Sequence, residues 1–253
     1  MMRMTDTVKQ LLIINIIFYI GSNVVGEMSY QLFSLYYPGN PNFRIWQPLT
    51  HMFMHAPMPN FMHIVFNMFA LVSFGSALEH FWGAKKFIFF YISCGLGAAL
   101  LHTGMNYIQF HQALETLQNA NIPSETIDLL LKEGKYNNTI TDLVPVSTLE
   151  NLYFSYNTPS VGASGAIYGL LTAFAFMFPM AELMIIFLPI PIKAKYFVPG
   201  LVAVDLILGF KGSSLFGSGG TGVAHFAHIG GALCGFLMMW YWKKNQFNKN
   251  RWN

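Results

Sequence analysis

Six windows of this chain are apolar over a length that can cross a lipid bilayer, and that leaves few folds open to it. A helix rises about 1.5 Å per residue, so ~30 Å of hydrocarbon needs about 20 residues. Windows of this kind lie at 9–27, 62–82, 86–108, 162–179, 195–211 and 222–242. A further apolar run at 183–192 is broken by Leu188-Pro189-Ile190-Pro191. Its prolines remove donors and forbid a straight helix, so an interfacial turn or short hairpin is expected there, not a seventh crossing. The expected fold is an all-α polytopic membrane protein. It forms one membrane domain over 1–253, a six-helix bundle with a long outer loop at 109–161 between the third and fourth crossings.

Composition agrees. Hydrophobic residues make up 54% of the chain and charged ones 10%, against roughly 25% charged in soluble proteins. The net charge of +3 comes from few groups, so nucleic acid is not an expected partner. Cys94 and Cys234 both lie in apolar runs and read as small packing side chains. The first window follows Arg3 and Lys9 but runs on through Ile20 to Val25 without a small-residue cleavage site. It reads as a retained helix rather than a signal peptide.

Charge sets the orientation. With both termini cytoplasmic, the inner segments hold Arg3, Lys9, Lys85, Lys86, Lys193, Lys195, Lys243, Lys244, Lys249 and Arg251, ten of the fourteen basic residues. Only Arg44, Lys132, Lys135 and Lys211 fall outside. Short cytoplasmic loops favour Lys and Arg, so an integral multi-pass protein of a bacterial plasma membrane, both ends inside, is expected. Within the outer insert, Ser124 is expected to cap a short helix with Lys132 late in it and Gly134 just past its end. Ile127, Leu130 and Leu131 would give it a narrow apolar stripe for packing on the membrane surface or a neighbouring loop.

Polar groups inside the apolar windows carry the chemistry, because hydrocarbon makes them expensive. Ser164 stands between Gly162 and Gly165 at the start of the fourth window; these glycines with Gly169 also suit close helix packing, with serine as one more small residue. Alanine at 166 rules out a Gly-x-Ser-x-Gly elbow. His228 lies about two turns into the last window, with Gly231 and Gly235 following at helical spacing. A serine hydroxyl is a poor nucleophile until a base within ~2.6–3.2 Å accepts its proton, so a Ser164–His228 pair needs the fourth and sixth helices in contact. His63 and Asn67, four apart, face one way and could donate to an oxyanion or simply bond another helix. Tyr168, one turn after Ser164, could lie against the imidazole or be ordinary packing.

Two other chemistries are weaker. His51 and His55 are four apart, but Met52 occupies the position where a metalloprotease helix carries glutamate; no metal or other cofactor is expected. Asp205 inside the fifth window raises transport or a proton relay, and a lone acid bonded to a hydroxyl or backbone group is the plainer expectation. It could also complete a triad with His228, although nothing in the spacing places it near.

Taken together, the chain resembles the rhomboid family of intramembrane serine proteases. The matching residues are Trp46, Thr50-His51, His55, His63-Ile64-Val65-Phe66-Asn67, Gly75-Ser76-Ala77-Leu78-Glu79, Gly162-Ala163-Ser164-Gly165 with Tyr168, and Ala227-His228 with Gly231 and Gly235. The resemblance implies Ser164 as nucleophile and His228 as general base, a dyad without a carboxylate. It implies an oxyanion site of His63, Asn67 and the Ser164 backbone N–H, with Tyr168, Gly162, Gly165, Gly231 and Gly235 in support. It also implies a first outer loop in the outer leaflet, substrate access past the fifth crossing, a mobile cap at 212–222, and a water-filled cavity at the serine. Expected partners are transmembrane protein substrates, cut at a small residue in a helix that unwinds easily, and the lipid bilayer. Gln47 stands where many relatives carry arginine, and Pro57-Met58-Pro59 lengthens the path from His55 to His63; both bear on the first outer loop. The alternative within the resemblance is an inactive member that binds membrane clients without cutting them. Such members lose the serine or the histidine, and this chain has both.

Overall fold

The computed structural model describes residues 3–185, 188–211 and 223–246. The chain is mostly helical. Helix α1 covers Asp6–Val25, and α2 covers Met62–Trp82 through a π-helical turn at Leu71–Gly75. Helix α3 covers Ala84–Asn119, α4 Ser124–Glu133, α5 Val146–Asn157 and α6 Ser164–Met177. Strands β1 (Glu182–Ile185) and β2 (Leu188–Lys193) then pair antiparallel, with Glu182 opposite Lys193. Helices α7 (Ala194–Lys211) and α8 (Val223–Gln246) complete the order. The proline-broken run at 183–192 is therefore the short hairpin its sequence suggests.

Among the described residues, α1, α2 and α3 are long and apolar enough to cross a membrane, and α6 is a shorter apolar helix of 14 residues. The outer flank of α1 shows why. Ile13, Ile17, Ile20 and Val24 are all exposed, a face that water would not tolerate but lipid would. Its opposite face buries Val8 and Leu11 in the main core.

That core lies where α3, α6 and α8 meet. It contains Phe87, Phe90, Tyr91 and Cys94 from α3, Ala166, Ile167, Leu170 and Leu171 from α6, and Met239 from α8. Both cysteines are free, with Cys94 buried among these side chains. Glu79 near the end of α2 docks α1 onto the bundle. Its carboxylate accepts the backbone N–H groups of Thr7 (3.1 Å) and Val8 (3.0 Å) and the Thr5 hydroxyl. The first turn of a helix has no internal acceptors for its N–H groups and favours negative charge, so a residue seventy positions away caps α1.

Residues 109–161 are not a loop. No helix breaker follows the apolar window, so α3 runs on through Gln109 to Asn119. At 36 residues it is about 54 Å long. Its outer end, α4 and α5 enclose a second core of Tyr37, Phe110, Ala113, Leu117, Ile127, Leu130, Ile140, Leu149 and Leu152. The apolar stripe of α4 thus packs on its neighbours. Ser124 is the first residue of α4 and makes no side-chain cap bond; Pro123 precedes it, while Gly134 ends the helix in the left-handed conformation at φ 67°.

Candidate active site

Local backbone geometry brings Ser164 into position first. Leu35 and Ser160 exchange backbone hydrogen bonds (2.9 and 2.8 Å), and the Gly162 N–H donates to the His51 carbonyl at 2.9 Å. The chain then turns through Gly162 at φ 126° and enters α6 at Ser164. A side chain at 162 would be strained by that φ and would approach the His63 ring to 3.0 Å. Being in the first turn, the Ser164 N–H has no acceptor within its own helix.

The fourth and sixth windows do meet. Gly231 on α8 lies against the Gly165 backbone, and Gly235 against that of Gly169. Across this contact the Ser164 hydroxyl is 3.0 Å from His228 Nε2. Tyr168 stacks on the His228 ring, with centroids 4.3 Å apart and planes 11° from parallel. Ser164 and Tyr168 are half-buried, and the His228 side chain is 24% exposed. The segment 212–222, expected as a cap, lies outside the described residues.

Asp205 departs from its sequence reading as a lone acid on a hydroxyl or backbone group. Its Oδ1 is 3.2 Å from His228 Nδ1 and also bonds His225 Nδ1. The serine–histidine pair therefore has a carboxylate behind it, on α7. One signal was present: His225 and His228 are three apart, so they share a helix face. The ligand atoms of Asp205, His225 and His228 lie within 4.8 Å of one another, a grouping that could hold a metal ion; here the same atoms satisfy one another by hydrogen bonding.

His63 is oriented from the other side. Its Nδ1 accepts the Ala56 N–H at 3.1 Å, which puts its proton on Nε2. That Nε2 borders the space left by Gly162, which a Cβ would share with Ser164 Oγ at 3.5 Å. Asn67 is buried and spends one amide proton on the His63 carbonyl at 2.6 Å, leaving a second donor.

The first outer loop is held by the residue that departs from the family pattern. Gln47 is fully buried; its Oε1 accepts the Tyr36 N–H (3.2 Å), and its Nε2 donates to the carbonyls of Gln31 (3.0 Å) and Asn42 (2.8 Å). Trp46 Nε1 donates to the Leu32 carbonyl and Thr50 Oγ1 to that of Phe33. His51 and His55 are both buried. Each Nδ1 turns to a backbone carbonyl, Gln47 at 3.1 Å and Phe53 at 3.3 Å. Burial pushes the His51 imidazole down to about 4 and that of His55 to about 3, so both stay neutral.

Similarity to known proteins follows the same residues. The family model for the rhomboid domain matches residues 42–109 and 143–245. An uncharacterised mitochondrial rhomboid protein of Schizosaccharomyces pombe is 27% identical over 224 residues, covering 79% of this chain and 52% of the relative. The mouse presenilin-associated rhomboid-like protein, mitochondrial, is 27% identical over 71% of this chain and 33% of its own length. The rhomboid protease AarA of Providencia stuartii is 28% identical over 76% of this chain and 54% of its own. The chain thus spans between a third and about half of the length of these relatives. The stretch between the two matched segments, 110–142, is the outer end of α3 with α4 and the turns that follow, while the helices bearing Ser164 and His228 both fall inside the match. An integral membrane protein with this pattern along most of its length belongs to the rhomboid family.

Proposed function

We propose that the chain is an intramembrane serine endopeptidase that cuts peptide bonds in or beside the transmembrane segments of other membrane proteins. The observation that carries this reading is the 3.0 Å approach of Ser164 Oγ to His228 Nε2, within the distance at which a base can take a hydroxyl proton. As Oγ bonds to the scissile carbonyl carbon, its proton passes to Nε2. The carbonyl oxygen becomes an oxyanion, with the Ser164 N–H, His63 Nε2–H and the spare Asn67 amide proton as its donors. The C–N bond then breaks, Nε2–H protonates the leaving amine, and water releases the acyl-enzyme by the reverse sequence. A helix hides its carbonyls in its own hydrogen bonds, so clients that unwind easily and carry a small residue at the cut are the expected substrates.

We infer a single membrane domain of six crossings, α1, α2, α3, α6, α7 and α8, with both termini on the Lys- and Arg-rich side. The relatives named above come from mitochondria and from a bacterium; the orientation follows from charge whichever membrane is the host. A fluorophosphonate probe tests the chemistry directly. Wild type should be labelled and Ser164→Ala should not. Equal labelling of both, or of neither, would defeat the assignment.

A further inference from the structure

The relay from Ser164 through His228 does not stop at the imidazole. Asp205 is 3% exposed, and its Oδ1 sits 3.2 Å from His228 Nδ1, on the opposite edge of the ring from Ser164 Oγ. A buried acid in a helix whose other flank exposes Val204, Leu206, Ile207 and Phe210 carries a cost that packing alone does not offset. We infer that Asp205 is the positioning residue of a three-helix Ser164–His228–Asp205 relay, acting on the proposed peptide hydrolysis through His228. The inference rests on that protease reading for its catalytic part and on geometry alone for its structural part.

Asp205 decides where the imidazole proton sits. An ionised carboxylate can only accept hydrogen bonds, so the His228 nitrogen facing Asp205 must be N–H. That leaves Nε2 with its lone pair toward the Ser164 hydroxyl, the tautomer a general base requires. Tyr168 fixes the plane of the same ring by stacking but has no means of choosing between its nitrogens. When His228 takes the serine proton it becomes imidazolium, and the charge forms beside the carboxylate. His225 supplies a second N–H to Oδ1, so the carboxylate is held by two imidazoles from successive turns of α8. Ser164, His228 and Asp205 come from α6, α8 and α7 in turn, so the base is correctly set only while all three helices are seated together.

Asp205→Asn tests this. An asparagine can turn its amide N–H toward Nδ1, which moves the imidazole proton to Nε2 and removes the base. In the serine-protease template the same change costs about 10⁴ in kcat. The expected result is a loss of at least 10²-fold in kcat for a transmembrane substrate, with KM within threefold and thermal stability close to wild type. Asp205→Glu, which restores a carboxylate on the same helix, should recover at least tenfold of that loss, and this arm remains informative if the asparagine variant folds poorly. Histidine ¹⁵N NMR gives a readout independent of turnover: wild-type His228 should be protonated on Nδ1, and Asp205→Asn should shift the proton to Nε2. Turnover of Asp205→Asn within threefold of wild type would overturn the inference. So would equal losses in the Asn and Glu variants, or an unchanged tautomer. Failure of wild type to react with the fluorophosphonate, with the tautomer shift intact, would instead strike the protease reading.

Discussion

Gly231 and Gly165 touch backbone to backbone: a methyl group on Gly231 would overlap the Gly165 carbonyl. This contact, one residue past Ser164 and three past His228, sets the spacing of the helices that carry them. Small residues serve this purpose in membranes because dispersion between close backbones holds the helices together.

Gly231→Ala should therefore separate α6 from α8 and abolish cleavage. A displacement of about 1 Å at a reacting pair can cost 10²-fold, so a residual rate under 1% of wild type is expected, together with a lower Tm. Cleavage of a model membrane substrate and a thermal melt in detergent check both parts. Wild-type turnover in this variant would mean that the helices do not approach so closely.

His63→Ala and Asn67→Ala should each slow turnover without impairing assembly. Loss of one oxyanion donor typically lowers kcat by about 10²–10³. His63→Ala should be the more severe, since the Ala56 N–H commits its ring to donating from Nε2 while Asn67 divides its amide between the site and the His63 carbonyl. Single-turnover rates of the two variants against wild type settle the order.

Glu79→Ala should destabilise the bundle and leave the chemistry alone. It strips two backbone N–H groups and a hydroxyl at the start of α1 of their acceptor. Leaving buried donors unsatisfied costs about 1–3 kcal/mol. The melting temperature should fall, while the fluorophosphonate labelling rate of the folded fraction stays at the wild-type value.

Acid should loosen the first outer loop. Burial lowers the folded-state His51 pKa to about 4 from its ordinary value of 6.5, so the unfolded loop binds the proton more readily. Its stabilising neutrality is fully present above 6.5 and is lost progressively as pH falls from 6.5 toward 4. Hydrogen exchange across residues 47–56 should accelerate over that interval. His51→Gln should remove much of the pH dependence, with the remainder due to His55.

The long apolar helices and the Ser164–His228 contact were legible in the sequence for one physical reason. Ser164, His228, His63 and Asn67 are polar groups in windows that otherwise exclude them, and the glycines beside Ser164 and His228 mark where backbones can meet. What the sequence concealed depends on contacts between distant positions. Asp205 read as solitary because 205 and 228 meet only once α7 packs on α8. Glu79 read as part of a motif, and nothing in its neighbourhood shows that it closes the start of α1. Gln47 stands out in the sequence only as a departure from the family's arginine, and the three hydrogen bonds of its amide depend on chain segments it does not neighbour. The 109–161 segment read as a loop because its polar residues end an apolar window, although they do not end a helix.

Helix α3 is one unbroken rod: Phe110, Ala113 and Leu117 anchor its C-terminal arm in the second core, and Phe90, Tyr91 and Cys94 anchor its N-terminal arm in the core shared with the helices of Ser164 and His228. The two cores are thus tied by a single helix, and a shift of one is carried to the other with no break in the shaft to absorb it.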